Sequence, residues 1–196
     1  MKPWLWQEVN GADYLEAVPN ANGEIKMFSI TPYAPIIEFL PAPASLNAGW
    51  IFPVAGFAFL IIIIAALGWP IVALVRRRYK YQSDVSGRPL LLHRVTRATA
   101  WLFILLVIGW VVALQSVNND LSALNGGLDV PIRLLQLVLI VAIVGTLVAI
   151  RNAWVVTTAP GRHRITTIWS ILIALAAAFL VWLFLDLGML TASLNY

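Results

Sequence analysis

The sequence predicts an all-α membrane protein: a four-transmembrane-helix bundle preceded by a small antiparallel β meander outside the membrane. Three observations predict it. Hydrophobic residues make up 61% of the chain and charged residues only 11%, whereas soluble domains carry about 25% charged residues. Four stretches lack any Asp, Glu, Lys or Arg over a membrane-spanning length: Phe39–Val75, Ala98–Asn119, Leu134–Ile150 and Ile165–Leu185. At about 1.5 Å rise per residue, roughly 20 such residues cross about 30 Å of hydrocarbon. The first part of the chain has a different grammar, with short apolar runs broken by turn formers.

That first part, residues 1–46, divides into strands and a connector. "WLWQEV" leads into "NGADYLEAV", and "PNANG" turns into "EIKMFSI", which alternates between two faces at a period of two. Two or three such strands are marginal alone and need something to pack on. The following "TPYAPIIEFLPAPASLNAGW" is rich in proline, which interrupts both sheet ladders and helices, and reads as an extended connector.

Residues 47–196 form the membrane domain, with helices expected near 48–75, 95–117, 130–154 and 165–191. The third charge-free stretch is the shortest, and Arg133 and Arg151 can snorkel from its two ends. Small residues such as Gly145, Thr146, Ala149, Ala174, Ala176, Ala177 and Ala178 allow helices to approach closely.

Orientation follows from basic residues, which gather on the cytoplasmic side of short loops. The first connection holds Arg76, Arg77, Arg78, Lys80, Arg88, Arg94 and Arg97, and the third holds Arg151, Arg162 and Arg164. The second, "NNDLSALNGGLD", has no basic residue. Both termini are therefore expected outside, which in a bacterium means the periplasm. The periplasmic tail through Glu38 sums to a net charge of −3. Trp50 and Trp110 are expected near the outer interface, and Trp69, Trp101, Trp154 and Trp169 near the inner one. Arg76, Arg77, Arg78, Lys80, Arg94 and Arg97 compose a cytoplasmic basic patch suited to anionic lipid.

Catalytic chemistry finds no foothold in the sequence. Cysteine is absent, so there is neither a disulfide nor a thiolate site. His93 and His163 read as loop histidines at the inner interface, with no acid or cysteine at metal-ligand spacing. No glycine-rich phosphate loop occurs, and no histidine is expected within a span to hold haem. The expectation is no metal, no cofactor and no nucleic-acid partner. The polar residues of interest within the spans are Arg133 and Asp186. If Arg151 and Arg164 mark the inner interface, Arg133 lies about 27 Å and Asp186 about 33 Å above it. An interhelical ion pair is predicted between them, with Gln115 or Gln136 completing the hydrogen bonds.

The order "WQEVNGADYLEAV", a glycine turn before "IKMFSI", "EFLPAP", "GWPIVALVRRRY", "RLLQ" and "RNAW" resembles the C-terminal membrane region of bacterial beta-lactamase-related, penicillin-binding-protein-like serine hydrolases. In many members such a tail follows a secreted catalytic domain, and the resemblance implies either the part that anchors and positions such an enzyme or a stand-alone relative that has lost the chemistry. The family's chemistry does not carry over. No serine here has a lysine three residues on, and the Tyr-x-Asn and Lys-Thr-Gly elements are absent. A serine without a base in reach is a weak nucleophile. The function expected is a non-catalytic membrane anchor or scaffold, in contact with lipid and with a protein partner through the periplasmic segment or the apolar helix exterior. The alternative is an accessory structural subunit of a larger respiratory or photosynthetic complex.

Overall fold

The computed structural model describes residues 4–31, 39–41, 43–79, 88–120, 126–159 and 164–191, and within them every side chain but those of Ser45, Arg76, Arg88 and Pro89. Two compact units result, Met1–Ile51 and Phe52–Tyr196.

The first unit is a three-stranded antiparallel meander of β1 (Leu5–Gln7), β2 (Tyr14–Pro19) and β3 (Ile25–Ile30), in that order across the sheet. The turn between β2 and β3 is held by one side chain. Asn20 Oδ1 accepts from the backbone N–H groups of Asn22 and Glu24, both at 2.9 Å. Gly23 takes a φ of 82°, which a residue without Cβ adopts freely. Register places Trp6, Leu15 and Ile30 side by side on one face, with Ala17 opposite Phe28 on the same face. Phe39 bridges to Phe28, and their rings stack at 5.1 Å. Ala17 is the only buried hydrophobic residue of β1–β3, so the sheet carries almost no core of its own.

The connector is not extended throughout. Residues 44–46 make a 3₁₀ turn, capped on its membrane side by Trp50 Nε1 donating to the Ala44 carbonyl at 2.9 Å. Asn47 then starts the first long helix: its Oδ1 accepts from the N–H of Gly49 at 2.8 Å, satisfying one of the helix's free donors.

Four helices are long and apolar enough to cross a membrane: α1 (Ala48–Tyr79), α2 (Arg88–Asn119), α3 (Asp129–Thr158) and α4 (Arg164–Asp186). This is a multi-pass membrane protein. The helices overrun the charge-free stretches. Arg76, Arg77 and Arg78 belong to the last turns of α1, and Arg94, Arg97 and His93 to α2, so none of these lies in a loop. Arginine is a good helix former, and Pro89 in the first turn of α2 is pre-organised for a helix start, so nothing in this sequence stops the backbone at the hydrocarbon boundary. Lys80 and His163 lie outside the described residues.

Conversely, α4 stops earlier than expected. Gly188 has a φ of 69°. Its N–H donates to the Leu185 carbonyl at 3.0 Å, and that of Met189 to Phe184 at 3.1 Å, the paired bonds of a left-handed helix stop.

The core lies among all four helices, around Phe103, Leu106, Leu139, Ile62 and Ala66. Here α3 is central, packing closely against both α2 and α4. The small-residue stripe explains the approach: a Cβ built on Gly145 would overlap the Thr99 side chain of α2, and one on Gly109 would overlap Leu135 of α3. Of the four, α1 keeps its backbone furthest from the others and joins the core through Ala58, Ile61, Ile62 and Ala66. Trp110, expected at the outer interface, packs against this core, and its Nε1 is buried without an acceptor among the described residues.

Candidate functional site

Two polar clusters break the apolar bundle, one toward each end. The first contains the pair predicted from charge and depth. Arg133 Nη1 donates to Gln136 Oε1 at 3.0 Å, and Gln136 Nε2 donates to the Thr191 carbonyl at 2.9 Å. Gln136 is buried, on the stripe of α3 that carries Leu135 and Leu139. Asp186 is exposed in the last turn of α4, and among the described residues no ion pair joins it to Arg133. The predicted pairing is therefore corrected: Gln136, not Asp186, contacts Arg133. Equal depth does not set azimuth, and the turn at Gly188 brings the Thr191 carbonyl, rather than the Asp186 carboxylate, to α3. Gln115 is exposed on α2 and makes no side-chain hydrogen bond among the described residues.

The second cluster was not anticipated from the sequence. A cavity of about 260 Å³ lies where all four helices meet near the end marked by Arg151 and Arg164. The first helix supplies Gly68 and Trp69, the second His93, Thr96 and Arg97, the third Asn152, and the fourth Thr166, Trp169 and Ser170. Thr96, Asn152 and Ser170 are buried. The two hydroxyls are satisfied locally, Thr96 donating to the Leu92 carbonyl and Ser170 to that of Thr167, both at 2.8 Å. These bonds use the hydroxyl protons, so each hydroxyl has only its lone pairs left to offer.

Asn152 differs. Its Oδ1 accepts from His93 Nδ1 at 3.3 Å across α2 and α3, an assignment that places the proton on Nδ1. The residue is only 4% exposed. Arg97 is half-buried and lines the same space. The site is thus a polar one, lined by the His93–Asn152 contact and by the Arg97 side chain.

Arg97 therefore departs from the solvated basic patch expected for it, whereas Arg77, Arg78 and Arg94 are exposed as expected of patch members. Asn152 had a legible signal. It stands on the stripe of Gly145, Ala149, Ala153 and Val156, all of them buried, one turn beyond the small residues read as packing positions. Beside Arg151 it passes for an interfacial residue, and only the early start of α2 brings His93 to it. Comparison with protein-family models, curated proteins and solved structures gives no match to this chain.

Proposed function

We propose that this chain is a non-catalytic anchor or scaffold module of the bacterial inner membrane, related to the C-terminal tails of beta-lactamase-family serine hydrolases. In this reading both termini are periplasmic, and the bundle holds a hydrolase domain at the outer face. The observation that carries the proposal is the contrast between the two units. The bundle packs its own core and turns an apolar exterior to lipid. The sheet buries only Ala17 and leaves Trp4 41% and Trp6 48% exposed, an aromatic surface suited to a protein partner. The same surface fits an accessory subunit of a larger respiratory or photosynthetic complex. An upstream reading frame containing Ser-x-x-Lys selects the first reading, and co-purification of the chain with a large assembly selects the second.

Two measurements test the proposal. The purified chain is expected to hydrolyse neither ester nor beta-lactam reporters and to take no label from fluorophosphonate or penicillin probes, because no serine is paired with a lysine base. Stoichiometric labelling of any serine defeats it. The orientation is tested by single cysteines at two exposed helix ends, Asn119 and Tyr79. An impermeant thiol reagent applied from the periplasm is expected to modify Asn119→Cys and spare Tyr79→Cys, and the reverse pattern inverts the topology.

A further inference from the structure

The two edges of the three-stranded sheet are not alike. Beyond β3, Phe28 donates to the Phe39 carbonyl at 2.9 Å and accepts from the Phe39 N–H at 2.8 Å, which closes that edge. Nothing among the described residues does the same for β1. The Trp4 carbonyl accepts from the Ala17 N–H at 2.9 Å, and the Glu8 N–H donates to the Asp13 carbonyl at 2.8 Å. Ladder bonds of an antiparallel pair alternate along a strand, so Trp4, Trp6 and Glu8 turn their backbone groups to β2 while Leu5 and Gln7 point theirs away from it. Glu16 and Tyr14, which stand opposite Leu5 and Gln7, are turned to β3 instead, where the Tyr14 carbonyl accepts from the Thr31 N–H at 2.9 Å. The apolar surface runs out at the same edge. Trp6 shares a face with Leu15 and Ile30, and the Trp4 ring meets it edge-on with centroids 6.3 Å apart. No charge, proline or bulge within β1 turns a further strand away, although such devices commonly protect an edge.

We propose that β1 receives a fourth strand from the protein partner, an extended segment with apolar side chains at alternate positions and basic residues at its ends. Three features select this occupant. Leu5 and Gln7 each offer one donor and one acceptor, which only an extended backbone can meet in ladder geometry. Trp4 and Trp6 are exposed on the edge strand itself, so every second side chain of an added strand lands beside an indole. The charge is one-sided, since among the described residues of this unit Glu8, Asp13, Glu16 and Glu24 stand against Lys26 alone, and Glu8 directly follows the open edge. The inference rests on the reading of this sheet as a surface for a protein, and it names the chemistry of what docks there.

The test uses the full chain, purified in neutral detergent, and a fluorescent probe peptide that alternates valine and threonine between terminal lysines. Its binding, read by anisotropy, is expected to weaken about tenfold when alternate backbone nitrogens are methylated, the size of one or two net backbone hydrogen bonds. Replacing the terminal lysines by glutamates should weaken it further. Leu5→Pro should lower affinity for the unmethylated probe about tenfold, because the β1–β2 ladder does not use the Leu5 N–H and proline there removes only an outward donor. Val18→Ala, on the other face, should leave affinity unchanged. Hydrogen exchange needs no variant: with the probe bound, the amides of Leu5 and Gln7 are expected to exchange about tenfold more slowly, a shift of one or two net hydrogen bonds. Equal binding of the methylated probe, equal binding of the glutamate probe, or unchanged exchange at Leu5 and Gln7 overturns the proposal. So does self-association of the chain that Leu5→Pro abolishes, which would make the occupant a second copy. Hydrolysis of ester reporters by the chain would end the anchor reading and leave strand addition standing, whereas a silent chain that binds no probe ends strand addition alone.

Discussion

Replacing Gly145 by leucine is expected to part α2 from α3 and to lower the bundle's stability by about 3 kcal/mol, the upper end of the cost of overpacking. The reason lies opposite the glycine. The first atom added at Gly145 meets Thr99 Oγ1, with Thr99 Cγ2 and Cβ behind it. Thr99 cannot swing aside easily. It is β-branched, its helix restricts χ1, and its hydroxyl already donates to the Val95 carbonyl at 2.9 Å. The helix backbones must therefore separate, and close packing is what drives association between helices whose alternative surroundings are equally apolar. Even Gly145→Ala is expected to lower the thermal midpoint in detergent. Adding Thr99→Ala should restore much of that loss, and the non-additivity marks direct contact. If the double variant shows strict additivity, the two helices do not touch at this point.

Phe103→Ala is expected to cost about 3 kcal/mol, the low end of the range for phenylalanine truncation in soluble cores. The low end applies because part of the usual penalty is transfer from water, and this side chain is traded against lipid tails instead. What remains is the cavity. Phe103 is fully buried, and its ring stacks on that of Phe184 with centroids 6.5 Å apart. Phe184 is also the residue whose carbonyl closes the helix stop of α4. Phe184→Ala should thus loosen both the core and the end of α4. The two truncations together should cost less than their sum, by about 1 kcal/mol, as expected of an aromatic pair. Thermal unfolding of the four members of the cycle decides it. A coupling of zero would show that Phe184 acts through the helix end alone.

How much was legible in the sequence varies with the kind of signal. The spans and the meander were readable, because charge-free runs and period-two alternation are properties of consecutive residues. Helix ends were not, because Arg76, Arg77 and Arg78 are at once a membrane boundary and good helix formers. The cluster around Arg133 was half-readable. Charge and depth singled out Arg133, and Gln136 stood one turn away, but the choice between Asp186 and Thr191 depends on a turn at one glycine. Asn152 was hidden for a related reason. Its significance comes from facing His93, which requires knowing that α2 begins at Arg88 and which side of α3 it meets. Contacts across helices are set by azimuth, and a single sequence reports azimuth only where a stripe of small or polar residues betrays it.

The spacing of α1 from its neighbours bears on how the molecule is assembled. This helix leaves the ribosome before the other three, and its apolar window has a mean hydropathy of 2.7, above the 2.4 of α3. It carries no buried amide, whereas α3 carries Gln136 and Asn152. A first span of this kind tolerates solitude in lipid, while α3 needs α2 already present and α4 soon after to receive its polar side chains. Pro70 removes the N–H that the Ala66 carbonyl would otherwise accept, and so loosens α1 beside the cavity lined by Gly68 and Trp69. The chain is thus ordered in time as well as in space. The span that waits longest is the one least harmed by waiting.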